Sequence, residues 1–86
     1  MNKVWSDKAW EDYLYWQEQD RKTLRRINQL LKDIDRNVFD GIGKPEPLKH
    51  ERIGYWSRRI DDVNRLIYRV VNEQIEIVQC RAHYDD

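Results

Sequence analysis

The sequence has 86 residues, which is enough for a single domain, residues 1–86, with one modest hydrophobic core. It is 37% charged, but its 4 Trp and 5 Tyr can bury large areas, so we expect a folded chain rather than a disordered one. The 16 basic and 16 acidic residues balance, which excludes a global positive field for nucleic acid. Any anion site must therefore come from local clustering.

Cys80 is the only cysteine, so the chain has no internal disulfide and no cysteine-rich zinc site. We expect Cys80 to be a small core residue and the protein to work in a reducing compartment, the cytoplasm. His50 and His83 could pair on a metal, but no third ligand is evident, so we expect His50 to be a solvated loop residue and no cofactor to be needed. The sequence predicts neither a signal peptide nor a membrane segment.

Two helix-start signals predict a helical hairpin after a short strand at Lys3–Trp5. Ser6 is a good N-cap, and Asp20 can cap a second helix after the first ends near Gln19. The stripe of the first helix comprises Ala9, Trp10, Tyr13, Leu14 and Gln17, extended by Trp16. The stripe of the second helix comprises Leu24, Ile27, Leu30, Leu31 and Ile34. We interpret its basic residues as a solvated face: Arg21, Lys22, Arg25, Arg26 and Lys32.

From Gly54 onward the hydrophobic pattern changes from helical to alternating, which predicts a three-stranded meander. The predicted strands are 55–60, 65–71 and 75–83, joined by turns at 61–64 and 72–73. Alternation places Trp56, Leu66 and Val78 on the buried face. The prediction is an α+β fold in which the two-helix hairpin packs on one face of a curved antiparallel sheet, completed by the short N-terminal strand.

Glu46 lies between Pro45 and Pro47, with Lys44 before and Lys49 after the proline pair. Proline fixes φ and biases the preceding residue toward extended conformations, so this segment should be stiff, non-helical and exposed. One interpretation is a well-made connection between the helical and the β half of the chain. The other is a carboxylate held at a fixed angle among cations, as proton abstraction near an anionic substrate requires.

The predicted sheet leaves one face uncovered, and alternation gathers Arg59, Arg65, Arg81 and His83 on it. With Glu46 nearby, these residue types match metal-independent RNA cleavage. A base takes the proton of the ribose 2′-OH, an acid protonates the leaving 5′ oxygen, and cations stabilise the phosphoryl oxygens. Glu46 suits the base, His83 the acid, and Arg65 the phosphate clamp, because a guanidinium binds two oxygens at once.

Tyr84 could stack on a splayed base, as aromatic residues do with single-stranded RNA. Because Tyr84 directly follows His83, strict alternation would aim the two side chains at opposite faces. Both can serve one site only if the strand ends or twists there.

Several segments, taken together and in order, carry a family resemblance. They are Trp5-Ser6, Tyr13-Leu14-Tyr15-Trp16, Gly43-Lys44-Pro45-Glu46-Pro47-Leu48-Lys49, Trp56-Ser57-Arg58-Arg59-Ile60, Arg65-Leu66-Ile67-Tyr68, and Cys80-Arg81 followed by His83-Tyr84. On these segments the chain resembles, essentially from end to end, the YoeB toxins, the Txe/YoeB branch of the RelE-like bacterial toxin superfamily. The proline-rich and the Trp-Ser-Arg-Arg-Ile segments are the most specific.

The resemblance implies a ribosome-dependent mRNA interferase that enters the 30S decoding site, beside the 16S rRNA, and cuts the bound codon. It further implies neutralisation by a YefM-like antitoxin, a homodimer, and a toxin–antitoxin complex that binds operator DNA. In residue terms it implies Glu46 as general base, His83 as general acid, Arg65 as phosphate ligand and Tyr84 as substrate-orienting residue. Lys49 and Arg59 match further basic positions, and Lys44 and Arg81 complete the predicted RNA-binding set.

One departure from the family pattern is the pair Asp85-Asp86, since such toxins commonly stop at or just after the His-Tyr pair. We expect a frayed tail without effect, although the added carboxylates could raise the pKa of His83 or repel RNA. The alternative function is a non-catalytic module that binds RNA, the ribosome or the antitoxin. Such a module would keep the basic face but would need neither Glu46 nor His83.

Overall fold

The structure is a computed structural model that describes residues 1–82. Its elements in chain order are β1 (Asn2–Trp5), α1 (Asp7–Gln19), α2 (Arg21–Arg36), β2 (Glu46–Pro47), a 3₁₀ turn (His50–Arg52), β3 (Trp56–Arg59), β4 (Arg65–Val71) and β5 (Gln74–Gln79). Ser6 caps α1 by accepting the N–H of Ala9, and Asp20 caps α2 as predicted. The helical hairpin is therefore confirmed, with its start signals at the expected residues.

The five strands form one sheet in the order β1-β5-β4-β3-β2. The β3–β4–β5 meander is antiparallel, as predicted, and β2 pairs antiparallel with β3. β1 instead pairs parallel with β5, so that Lys3 lies opposite Ile75. The α+β prediction is confirmed, but the sheet is mixed rather than wholly antiparallel. The chain passes through the two helices after β1 and enters the meander so that β5 runs in the same direction as β1.

The core lies between the helices and one face of the sheet. The predicted stripe of α2 is confirmed: Ile27, Leu30, Leu31 and Ile34 are buried against residues of β4 and β5. The predicted stripe of α1 is partly wrong, since Trp10 is 47% and Leu14 is 40% exposed. Asp12 is buried in their place, because its carboxylate accepts the backbone N–H of Cys80.

The last strand differs from its prediction in length and in register. A β-bulge lies opposite Ile67 and Tyr68, which pair with Gln79 and Ile77 and leave Val78 between two pairs. Ile77, not Val78, is therefore the buried residue on the helical side. The strand also ends at Gln79 rather than at His83.

The second face of the sheet is less open than predicted. Ile67 lies between the core residues Leu66 and Tyr68 in β4, so its side chain faces the opposite side of the sheet and is not part of their cluster. It is nevertheless buried, with only 1% of its surface exposed. Arg65 and Arg69, which share its face, are half-buried.

No helix within residues 1–82 combines the length and the apolar character that crossing a bilayer requires.

Candidate functional site

Glu46 lies on an edge strand, in a segment that runs along β3. It pairs with Ser57, and backbone hydrogen bonds close the segment on both sides, from Arg59 N–H to the Gly43 carbonyl at 2.6 Å and from Leu48 N–H to the Tyr55 carbonyl at 2.9 Å. An edge is where a sheet tolerates proline, because the missing N–H would face away from the ladder. The prolines beside Glu46 thus fit the edge position, and Glu46 is exposed there, as predicted.

Glu46, Arg59 and Arg65 share one face of the sheet. Ser57 pairs with Glu46 on one side and with Ile67 on the other, and the next row of this face pairs Arg59 with Arg65. Residues that pair across a ladder point to the same face, and so do residues two apart in one strand. Ladder spacings put the Cα atoms of Glu46 and Arg65 about 12 Å apart. The structure thus brings three of the predicted site residues together.

Arg65 is held at both its backbone and its side chain. Its guanidinium donates to the carbonyl of Asp61 at 3.0 Å, so the β3–β4 turn supports the cation. Its backbone N–H donates to the carbonyl of Ala82 at 3.1 Å, and the N–H of Ala82 donates to the Asn64 side chain at 2.7 Å. The Asn64 side chain and the Arg65 backbone therefore hold Ala82, the last described residue, next to Arg65, the predicted phosphate ligand.

The segment after β5 is also held from the helical side. Asp12 accepts the N–H of Cys80 at 3.0 Å, and the indole N–H of Trp16 donates to the Cys80 carbonyl at 2.8 Å. Side chains of α1, rather than a neighbouring strand, thus satisfy both the N–H and the carbonyl of Cys80, and the strand accordingly ends at Gln79. Sequence reasoning missed Asp12 as a buried residue, and the signal was its position three residues after Ala9 in the apolar stripe.

Arg81 does not lie with Arg59 and Arg65 as predicted. Its guanidinium stacks on the ring of Tyr15 in α1, 3.6 Å from the ring centre. The prediction assumed that strand alternation continues through this residue, whereas the strand has already ended. Arg81 is therefore a cation at the border between helix and sheet.

The two predicted lysines flank the Glu46 segment and are exposed. Lys44 precedes Pro45 and is predicted to be extended, but it adopts a φ of 50°, in the left-handed region, because the chain turns there from the loop into β2. Lys49 comes directly before the 3₁₀ turn. Four residues of the sequence prediction lie outside the described part of the chain: His83, Tyr84, Asp85 and Asp86.

Arg58 is a residue that sequence reasoning missed. It is fully buried, and its guanidinium bonds Asp33 at 2.6 Å on the helical side of the sheet. The hydrogen bond from Ile42 N–H and the Arg58 guanidinium lower the pKa of the Asp33 carboxyl below its usual range. The signal in the sequence was alternation, since an arginine two residues from both Trp56 and Ile60 falls on the buried face.

Cys80 and His50 both lie in the surroundings that the sequence predicts. Cys80 is fully buried, and burial raises the pKa of its thiol to about 12, which removes it from nucleophilic chemistry near neutral pH. His50 is exposed, as expected for a loop residue. Among residues 1–82, no cluster of three His, Cys, Asp or Glu side chains could hold a metal ion.

Comparisons with known proteins agree on one family. The family model for the YoeB-like toxins of bacterial type II toxin–antitoxin systems matches residues 5–84 of this sequence. The toxin YoeB of Escherichia coli is 51% identical over 84 residues, 98% of this chain and 100% of that protein. A solved YoeB/ParE toxin from Agrobacterium tumefaciens superposes with a TM-score of 0.96 at 45% identity, covering 98% of this chain and 100% of that one.

Two solved structures from Staphylococcus aureus are similar as well. A YoeB dimer gives a TM-score of 0.92, and the YoeB chain of a heterotetrameric YoeB–YefM toxin–antitoxin complex gives 0.91, each at 49% identity with 98% of both chains covered. These matches extend over nearly the whole sequence at an identity near one half. The chain therefore belongs to the YoeB-like toxins of bacterial type II toxin–antitoxin systems.

Proposed function

We propose that this toxin is a ribosome-dependent mRNA interferase that cleaves mRNA in the ribosomal A site by metal-independent acid–base catalysis. Glu46 takes the proton from a ribose 2′-OH, whose oxygen attacks the adjacent phosphorus. His83 protonates the 5′ oxygen as it leaves, and the product end carries a 2′,3′-cyclic phosphate. Arg65 stabilises the charge that develops on the phosphoryl oxygens.

The observation that carries this proposal is the register of β2, β3 and β4. It aims Glu46 and Arg65 at the same side of the sheet with their Cα atoms about 12 Å apart, so that long side chains reaching inward leave room for a phosphate and its ribose. The carbonyl of Ala82, the residue before His83, bonds the N–H of Arg65. The chain segment that carries the proposed acid thus starts beside the proposed phosphate ligand.

The remaining predicted residues would hold the RNA. Arg59 shares the face of Glu46 and Arg65, and we assign it and Lys49 to the phosphate backbone. Lys44 and Arg81 would extend this basic surface at its two borders, and Tyr84 would stack on a base of the codon. We propose that His83 and Tyr84 serve one site, and the end of β5 at Gln79 supports this, since alternation applies only within a strand.

For partners we propose a YefM-like antitoxin, a second copy of the toxin, and the ribosome with its mRNA and 16S rRNA. The Staphylococcus aureus relative supports the first two, because it is known as a dimer and in a heterotetramer with YefM. A toxin–antitoxin complex bound to operator DNA completes the proposal. With translating ribosomes as its target, the protein would act in the cytoplasm.

Toeprinting on programmed ribosomes tests the chemistry, the substrate and the ribosome dependence together. We expect the wild-type protein to cut mRNA in the A site, and we expect Glu46→Gln and His83→Ala to lose about 100-fold or more in rate while still folding and cosedimenting with ribosomes. The matched control is Glu51→Gln, which changes an exposed glutamate in the neighbouring 3₁₀ turn and should cut normally.

Normal cleavage by both Glu46→Gln and His83→Ala would overturn the acid–base mechanism. Ribosome binding by a wild-type protein that does not cut would favour the non-catalytic module instead. Growth gives an independent readout of the toxin function, since expression alone should arrest bacteria and co-expression of the cognate antitoxin should restore them.

A further inference from the structure

Arg58 is the hub of a buried hydrogen-bond network that reaches the loop in front of Glu46. Its side chain is 0% exposed. Its three nitrogens donate to Asp33 Oδ2 (2.6 Å), Tyr68 Oη (3.1 Å) and the carbonyls of Ile42 (3.2 Å), Asn37 (2.6 Å), Asp40 (2.7 Å) and Val38 (3.4 Å). A guanidinium has five N–H donors in a fixed plane, so this set of acceptors engages all of them. The network therefore fixes the loop 37–42 in one geometry.

Asp33 joins this loop to α2. Its Oδ2 accepts both the Ile42 N–H at 2.9 Å and the Arg58 guanidinium. Gly41 packs directly on the same carboxylate, since a Cβ at that position would lie 2.0 Å from Oδ2. The loop is thus pressed between a helix and a strand, with no room for a side chain at its tip.

Arg58 and its neighbour Arg59 in β3 also hold the loop where it leads into β2. Arg58 binds the carbonyls up to Ile42, and the next residue of β3, Arg59, donates its backbone N–H to the carbonyl of Gly43. Gly43 comes three residues before Glu46. Any shift of the loop would therefore reach Glu46 through a short stretch that Pro45 stiffens.

A buried ion pair is weak evidence for a purely stabilising role, because apolar residues of similar volume often stabilise a core as well or better. What the guanidinium supplies, and an apolar side chain would not, is direction toward several carbonyls at once. We propose that Arg58 is a positioning residue, which holds the loop 37–43 and thereby sets the place of Glu46 relative to Arg65. This inference rests on the proposed function, since it assigns Arg58 to the placement of the general base.

The test variant is Arg58→Lys, because lysine keeps the charge near Asp33 but has its donors on one atom and loses the fork. We expect single-turnover cleavage on programmed ribosomes to fall about 100-fold, the scale of a misplacement of 1 Å, with ribosome affinity unchanged. Ile75→Ala serves as the control, because Ile75 is fully buried in β5, away from the loop. It should destabilise the fold at least as much while cutting at nearly the wild-type rate.

A double-mutant cycle separates positioning from general damage. If Arg58 acts through Glu46, Arg58→Lys should cost little further rate in the Glu46→Gln background, because the residue being positioned is already disabled. A loss in that background as large as in the wild type would overturn the inference. Tyr68→Phe removes two contacts of the network, the bond that Tyr68 Oη accepts from Arg58 and the bond that it donates to the Val38 carbonyl at 2.8 Å, and should give a smaller loss than Arg58→Lys.

A second measurement does not depend on activity. Hydrogen exchange at the N–H groups of Ile42 and Arg59 should speed up at least tenfold more in Arg58→Lys than in Ile75→Ala, where only the lower global stability adds to exchange. Unchanged exchange in Arg58→Lys would show that the loop does not need the fork, and would overturn the inference. Failure of the proposed function looks different, since wild-type protein and Glu46→Gln would then behave alike in the cleavage assay.

Discussion

The carboxylate of Asp12 accepts the backbone N–H of Cys80 at 3.0 Å, although the two residues are 68 positions apart in the chain. It also receives the exposed ammonium of Lys8 at 2.5 Å. One buried side chain of α1 thus satisfies the backbone at the point where β5 ends. Its replacement by alanine should leave the N–H of Cys80 buried without an acceptor.

We expect Asp12→Ala to lower the free energy of unfolding by about 1–3 kcal/mol, the cost of an unsatisfied buried donor. Lys8→Ala is the matched control, since it removes the ion pair but keeps the acceptor, and it should cost under about 1 kcal/mol because Lys8 is exposed. Urea unfolding followed by circular dichroism measures both values. Equal losses would mean that the ion pair, not the bond to Cys80, is what matters.

Asn64 should matter for activity more than for stability. Its side chain accepts the N–H of Ala82, which lies directly before the proposed acid His83. We expect Asn64→Ala to slow cleavage on programmed ribosomes by about tenfold or more through misplacement of the following residues. Val63→Ala, in the same turn but exposed, should cut at the wild-type rate. A variant at position 64 that cuts as fast as this control would show that the contact does not guide the C-terminal segment.

Two glycines with positive φ should respond differently to alanine. Gly41 (φ +115°) has no room for a Cβ beside Asp33, whereas Gly54 (φ +95°) has no atom within 4 Å of the added Cβ. We expect Gly54→Ala to cost about 1–2 kcal/mol of stability, the conformational term alone, and Gly41→Ala to cost clearly more. Thermal unfolding of the two variants gives the difference, and similar melting temperatures would disprove the tight contact at Gly41.

Stability should fall at alkaline pH because of Cys80. Burial raises the pKa of its thiol from 9.0 to about 12, so the native state keeps this proton to a higher pH than the unfolded chain. The contribution is complete below the unfolded pKa and is lost as pH rises toward the folded value, by up to about 1.4 kcal/mol per pH unit. Urea unfolding of wild type and Cys80→Ala from pH 8 upward, within the range ~8–11, checks this. The variant should lose stability less steeply, and parallel curves would rule out the thiol as the cause.

The sequence was sufficient for the elements that local rules govern. The caps at Ser6 and Asp20, the stripe of α2 and the alternation of β3 and β4 all predicted their structures. The same rules placed Glu46 in an extended, exposed segment, because two prolines restrict the backbone there.

The prediction failed in β5, where one irregularity in the strand changes which face every later residue points to. The bulge near Val78 shifts the alternation of β5 by one residue, and side-chain acceptors at Asp12 and Asn64 take the N–H groups that a longer strand would have used. Arg81 was misplaced for this reason. Such contacts join residues far apart in the chain, so no sequence window contains both partners.

The edge position of β2 has a consequence for how the molecule meets other chains. Pro47 and the flanking Pro45 lack N–H groups, so the outer rim of this strand offers few donors to a further strand. Fibre-like growth by sheet extension is therefore discouraged on the side where the proposed catalytic carboxylate is displayed. The two prolines that restrict the backbone around Glu46 thus also make this edge strand a poor partner for pairing with the sheet of another molecule.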